Sequence, residues 1–285
     1  MSKPLDRRRH PWRDDLAALS LRGKVDAPRY VEGQQQQIAA PLASLRNAPE
    51  PQAMLLTQGL RGEIFTVYDR QGEWLWGQLE SDGYVGWLRA ARLSAKPAAP
   101  THYVSVARSH IYPRPDIKTT PVAVLSMMAK LRVVQSRGRF VQLSDGGYMM
   151  ASHVHPLGDW QRDFAGVAAR FLNTPYLWGG RSADGIDCSA LVQMALGACG
   201  VAAPRDSDMQ EAELFTALPG GIQNTTLQRG DLVFWPGHVG IMWSPSELLH
   251  ANGHHMMTVI EPLKTALLRI KAETGPPGCV KRGTA

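Results

Sequence analysis

The sequence predicts an α+β protein, with small all-β modules in its first half and a domain of helices followed by antiparallel strands in its second. Three observations predict it. Short alternating segments such as Ile64-Phe65-Thr66-Val67-Tyr68 and Trp74-Leu75-Trp76-Gly77-Gln78-Leu79 lie between Gly and Asp turns, the texture of short strands. Gly72, Gln78 and Tyr84 align with Gly138, Gln142 and Tyr148, so one small β unit occurs twice in tandem. Past His155-Pro156-Leu157-Gly158 the apolar spacing becomes helical and then returns to strands, which orders helix before sheet in a further domain.

Length and composition bound what this protein does. With 285 residues and 44% hydrophobic content, the chain can bury a sizeable core and suits two or three domains better than one. Residues 1–10 are charged, but no apolar run of about 7 to 15 residues with a small-residue cleavage site follows them. No window approaches the roughly 18 uninterrupted apolar residues of a membrane span. The expectation is a cytoplasmic protein with no membrane contact and no evident obligate protein partner.

Cys188, Cys199 and Cys279 are the three cysteines. An odd count without CxxC spacing suggests neither a disulfide framework nor a standard structural zinc site. His250, His254 and His255 do not make a metal site across a hairpin, where the i, i+4 spacing that joins ligands on a helix fails. No metal and no organic cofactor is expected. The net charge of +6 comes from scattered Lys and Arg, and the dense cluster Arg7–Arg9 sits beside Asp6, Asp14 and Asp15. That argues against nucleic acid and is compatible with an acidic small substrate.

The elements follow in order. Residues 1–40 read as an irregular arm, with a short helix candidate near Asp14 to Leu21 and a strand at Tyr30-Val31; the Gln34–Gln37 run is too short to interpret. Residues 41–95 form the first β module, and Ser94-Ala95-Lys96-Pro97-Ala98-Ala99-Pro100-Thr101 is a linker of limited flexibility. Residues 102–157 form the second module, with Met127-Met128 and Met149-Met150 as core filler. Residues 159–285 form the α+β domain. Asp159 is placed to cap a helix carrying Trp160, Phe164, Val167, Ala168, Phe171 and Leu172, which Asn173-Thr174-Pro175 ends. A glycine-rich loop leads to a second helix beginning at Cys188. Strands follow at Asp231–Trp235, His238–Trp243 and Leu248–Ala251, with a hairpin turn at Asn252-Gly253.

The chemistry concentrates on Cys188, His238 and His250. A thiol at a helix N-terminus meets unpaired N–H groups that favour the thiolate. Two histidines on adjacent strands can supply a base and a second ring that orients the base. Protonation of this pair should make activity fall through the ordinary histidine range. Cys199 and Cys279 read as structural, Asp231 as a turn or cap, and His254 and His255 as surface residues.

Five ordered motifs make a resemblance specific: Tyr176–Ser182, Gly185–Gln193, Pro204–Gln210, Arg229–Phe234 and Gly237–Ile241. Over residues 159–285 the chain resembles the NlpC-type cell-wall cysteine peptidases, a minimal papain-like family. Asp82-Gly83-Tyr84-Val85-Gly86-Trp87 resembles a turn of bacterial SH3-like barrels, although the second repeat lacks the Trp. The resemblance implies a papain-like cysteine peptidase domain preceded by two small SH3-like β-barrels. Members with a preceding SH3-like module resemble gamma-D-glutamyl-L-diamino acid endopeptidases, which cut murein tripeptides or tetrapeptides carrying a free N-terminal L-Ala. It further implies that Tyr176, Trp178, Asp187, Ser189 and Ser207 line the cleft, and that the first barrel contributes Glu63 and Tyr84 toward the substrate ammonium. The repeat places Ala129 opposite Glu63, so the barrel itself does not demand the acid. Two rival readings are a non-catalytic murein-peptide binding protein and a lysin acting on polymeric peptidoglycan.

Overall fold

The computed structural model describes residues 5–283, so the ends of the expected arm and of the expected catalytic domain lie outside the described residues. The chain divides into two compact units, Met1–Val104 with Arg108–Leu157, and Ser105–Ala107 with Gly158–Ala285.

In the first unit, seven strands make one sheet: β1 (Gln34–Ile38), β2 (Leu42–Arg46), β3 (Leu55–Leu60), β4 (Ile64–Gln71), β5 (Trp74–Leu79), β6 (Val85–Arg89) and β7 (Leu93–Ser94). Their order is β3-β2-β6-β5-β4-β1-β7 with antiparallel neighbours. Alternation along β5 sends Leu75 and Leu79 inward to Ile38, Leu45, Phe65 and Leu88. Trp74 and Trp76 face the other way, where Val85, Trp87 and Leu16 bury them.

Leu16 belongs to the expected arm, so that segment is part of the module. Its Arg13 guanidinium lies 4.5 Å from the Trp76 ring centroid and 5.0 Å from that of Trp87, a cation–π arrangement. Val85 N–H donates to Arg8 O at 2.8 Å. The glutamine run becomes β1, which moves the start of the sheet ahead of residue 41. The helix expected near Asp14–Leu21 is absent. Ala17 and Ala18 donate to Arg29 O and Pro11 O, which fixes a two-residue strand beside Tyr30–Val31, followed by a 3-10 turn at Leu19–Leu21.

The second module comprises three small sheets: His102–Val104 with Lys130–Leu131 and Val154–Pro156; Arg108–Ile111 with Ala123–Ser126; and Val133–Arg137 with Phe140–Leu143 and Tyr148–Met150. Met127 and Met149 are buried in it, while Met128 and Met150 are only half-buried. The tandem repeat is visible in one turn. Glu63 N–H donates to Leu60 O and Ala129 N–H to Ser126 O, and the residue before each donor is left-handed, Gly62 at φ 82° and Met128 at φ 65°.

In the second unit, α1 (Phe164–Ala169) is capped by Asp163, whose side chain accepts from Gly166 N–H at 2.9 Å. Asp159 is therefore not the cap, and Trp160 and Leu172 lie outside the helix, each 37% exposed. Gln161 N–H is drawn to Ala198 O instead of into a helical turn. Beyond it come α2 (Cys188–Ala198), α3 (Ser207–Glu213) and α4 (Leu263–Thr274). The sheet contains β8 (Thr216–Ala217), β9 (Leu232–Trp235), β10 (His238–Ser244), β11 (Glu247–Asn252), β12 (Met257–Pro262) and β13 (Cys279–Arg282). Its order is β8-β13-β9-β10-β11-β12, antiparallel throughout. One face packs on α4 through Val233, Trp235, Met242, Leu248, Ala266 and Ile270. α2 packs against β10 and β11 and against α1.

Candidate active site

The site begins with how α2 is started. Asp187 occupies the N-cap in extended conformation, and its Oδ1 accepts from Ala190 N–H at 2.8 Å, satisfying one of the unpaired amides of the first turn. Its Oδ2 accepts from Gly179 N–H at 2.9 Å. Gly179 is left-handed at φ 74°, and a Cβ on Gly180 would lie 2.5 Å from Gly185 O. The Gly179-Gly180 pair is therefore what lets the loop fold back onto its own cap. Beneath this turn lies Arg205, 1% exposed, donating to both Asp187 oxygens at 2.9 and 2.6 Å and to Ser189 Oγ at 2.9 Å. Cys188 is thereby held at the first helical position.

The histidines arrive on the meander. A tight turn at Pro236-Gly237 (φ 73°) starts β10, which presents His238 and sets Val239 N–H beside the Cys188 sulfur. His238 Nε2 is 2.8 Å from His250 Nδ1 on β11, and His250 Nε2 is 2.7 Å from Glu261 Oε1 on β12. Arg269 of α4 donates to Glu261 Oε2 at 2.8 Å and Oε1 at 2.5 Å. Strand register explains Glu261: it pairs with Leu248, and His250 with Val259. Glu261 is thus diagonal to His250 on the face that carries α4, within reach of a long side chain.

Burial sets the electrostatics. Desolvation pushes the Cys188 thiol up to about 12, with the Asp187 charge adding to it, against the lowering action of Val239 N–H, Arg205 and Ser189 N–H. Desolvation takes His238 down to about 3, assisted by His250 and Arg269, while Glu261 opposes. His250 is also lowered, chiefly by burial. Helix-terminal lowering of the thiol, expected from sequence, is thus outweighed. Both shifts favour a neutral thiol and a neutral imidazole at rest.

The expected loss of activity through the ordinary histidine range moves with them. A buried imidazole of depressed pKa stays neutral until pH falls toward its folded value. kcat/KM should be flat from about pH 8 to 5 and fall only below that; an inflection near 6.5 in a pH-rate profile would contradict it. Stability has the same sign. The unfolded histidines bind protons first, so stability is complete above about pH 6.5 and declines as pH drops toward 3.

The other expected site residues fall in several places. The Tyr176 phenol is pushed up by burial and then by the Cys188 and Asp187 charges, so it stays a protonated donor. Trp178 is 63% exposed. Ser207 is half-buried at the start of α3. Asp187 and Ser189 are buried with their polar atoms engaged by Arg205. Glu63 and Tyr84, in the first unit, are both buried, and Glu63 Oε2 accepts from Leu60 N–H at 2.7 Å. Asp231 is buried and paired with Arg282 at 2.6 Å, and it accepts from Gln228 N–H. His254 and His255 are exposed. Sequence reasoning missed Arg205, Glu261 and Arg269. Arg205 lies within the Pro204–Gln210 motif, whereas Glu261 becomes apparent only from the strand register of the folded sheet.

A thiol at a capped helix start against a strand that bears a histidine, with a second histidine behind it, defines a hydrolase of the cysteine peptidase type. Residues 173–269 match the NlpC/P60 family, and residues 45–93 match the bacterial dipeptidyl-peptidase Sh3 domain. Gamma-D-glutamyl-L-lysine dipeptidyl-peptidase of Bacillus subtilis (strain 168) is 30% identical over 225 residues, 70% of this chain and 72% of that protein. The chain belongs to the NlpC/P60 family. Dipeptidyl-peptidase 6 of Lysinibacillus sphaericus is 27% identical over 239 residues, covering 75% of this chain and 86% of the relative. A crystal structure of an NlpC/P60 family protein from Bacillus cereus ATCC 10987 superposes with a TM-score of 0.75 at 21% identity. It covers 88% of this chain and 100% of that one, which establishes the papain-like α+β fold. The Sh3 match, residues 45–93, ends before the second module begins.

Proposed function

We propose that this protein hydrolyses the gamma-D-glutamyl bond to a diamino acid, meso-diaminopimelate or lysine, in murein peptides that carry a free N-terminal L-Ala. The observation that carries the reading is the series from the buried Cys188 at the helix start through the half-buried His238 to the buried His250; the activity for which the relatives are named supports the bond type. On this reading the protein works in the cytoplasm, on wall peptides released for reuse.

Cys188 Sγ attacks the gamma-D-glutamyl carbonyl carbon while its proton passes to His238. The oxyanion forms beside the Cys188 N–H, which at the first helical position lacks an intrahelical acceptor, and beside the Tyr176 hydroxyl. Each such donor contributes on the order of 3 kcal/mol. Collapse breaks the C–N bond, and His238 returns its proton to the leaving nitrogen. Water, deprotonated by His238, then hydrolyses the thioester and restores the thiol. Trp178 and Ser207 enter the proposal as cleft residues, and Asp187 and Ser189 as the support beneath it. Glu63 and Tyr84 enter as the groups that recognise the substrate amine.

Mass spectrometry of L-Ala-gamma-D-Glu-meso-diaminopimelate and its N-acetylated form, incubated with wild-type and Glu63→Ala protein, tests the reading. Release of diaminopimelate from the unblocked peptide alone, weakened in Glu63→Ala, is expected. Equal cleavage of both peptides removes the amine requirement and points to a lysin; binding without cleavage points to a binding protein.

A further inference from the structure

The second histidine is itself oriented by a buried acid: we propose that Glu261, clamped by Arg269, is the positioning residue that fixes the tautomers of both histidines and so leaves His238 Nδ1 bare as the base. The inference rests on the catalytic roles proposed above for Cys188, His238 and His250.

The argument is a count of hydrogens along one line. Burial opposes the charge on Glu261, but Arg269 and His250 hold it as a carboxylate. A carboxylate only accepts, so the hydrogen in the 2.7 Å contact belongs to His250 Nε2. A neutral His250 then has a bare Nδ1, which can only accept. The hydrogen in the 2.8 Å contact between the rings therefore belongs to His238 Nε2. One ring hydrogen remains for each neutral imidazole, and both are now placed. His238 Nδ1 is left as a lone pair that can take the thiol proton. When it does, the imidazolium keeps its Nε2–H bond to His250, and the Glu261 charge opposes the cost of the buried cation.

Asn252 shows what Glu261 has to overcome. Its Nδ2 lies 3.1 Å from the same His250 Nε2, and its Oδ1 accepts from His255 N–H at 2.8 Å, which fixes the amide orientation. That NH₂ can donate only to a bare Nε2, the opposite tautomer. In that state His250 Nδ1–H would point at His238 Nε2, the hydrogen on His238 would move to Nδ1, and the base would be blocked. The ionised Glu261, closer at 2.7 Å than Asn252, decides between the two. The charged and titratable groups acting on His250 are His238 from β10, Glu261 from β12, Arg269 from α4 and His255 from the hairpin loop.

Glu261→Gln provides the test. Glutamine offers one oxygen where glutamate offers two, so Arg269 and His250 compete for it and the charge is gone. Long-range ¹H–¹⁵N spectra of histidine-labelled wild-type protein at pH 7 should show His238 and His250 both as neutral Nε2–H tautomers. The variant should show a population of the Nδ1–H form at His250. Turnover of the unblocked tripeptide should fall by about 10- to 100-fold with KM within about twofold, and Glu261→Asp should restore part of it. An Nδ1–H tautomer at either ring of the wild type, or unchanged tautomers and kcat in the variant, would overturn the assignment. The wild-type spectrum needs neither a variant that folds nor a substrate, so it stands apart from any failure of the proposed peptide specificity.

Discussion

Cys188→Ala is expected to reduce cleavage of the unblocked tripeptide by about 10⁴- to 10⁶-fold while peptide binding persists. The nucleophile is the one part of the scheme with no substitute, since the oxyanion donors and the cleft lower the barrier only for a carbonyl already under attack. Adding His238→Ala to the Cys188 variant should cause little further loss, because thiol and base act as one unit and their effects do not add. Folding should be nearly unaffected, with a melting shift of no more than about 3 °C. The substitution removes one buried atom and leaves the Asp187 cap and the packed body of α2 in place. Single-turnover kinetics with calorimetric binding would check both halves. Substantial turnover by the variant would remove Cys188 from the mechanism.

Arg205→Met is expected to be the most destabilising single change in the catalytic unit, by about 3 to 5 kcal/mol. Methionine fills much of the volume but leaves Asp187 buried as an unpaired carboxylate still needed by Gly179 and Ala190 N–H. Asp187→Asn in the same chain should recover part of the loss. Asparagine removes the stranded charge and remains a good N-cap. Urea titration read by hydrogen exchange of the α2 amides isolates this unit from the other. A loss under about 1 kcal/mol for the single variant would mean that Arg205 contributes nothing beyond its packing.

What the sequence revealed and what it concealed have physical causes. Cys188, His238 and the flanking motifs were legible because each is a local statement: a thiol at a helix start, a histidine after a Pro-Gly turn, a strand of buried residues. Glu261 was not, because its role depends on which strand lies beside which and in what register. The first strand of the seven-stranded sheet was hidden because Gln34–Gln37 carries no apolar alternation; its burial runs from exposed to half-buried until Ile38. The early cap at Asp159 came from extending a helical period through Trp160, which the structure leaves 37% exposed outside the helix. The helix-end effect on the thiol was the right force with the wrong rival, since burial exceeds it.

The seating of Leu16 against Trp74, Trp76 and Trp87 makes the amino-terminal segment a seal. Without it, the outer side of β5 and β6 would present a contiguous aromatic patch, the kind of surface that drives soluble proteins to self-associate. The stopper is made before the surface it covers, so during synthesis it waits unpaired until β5 and β6 emerge. β1 waits in the same way for its edge partner, because β7 comes last in the sheet. A module whose first and last strands must find each other closes late and all at once, and the arm is what keeps its sticky side covered once it has.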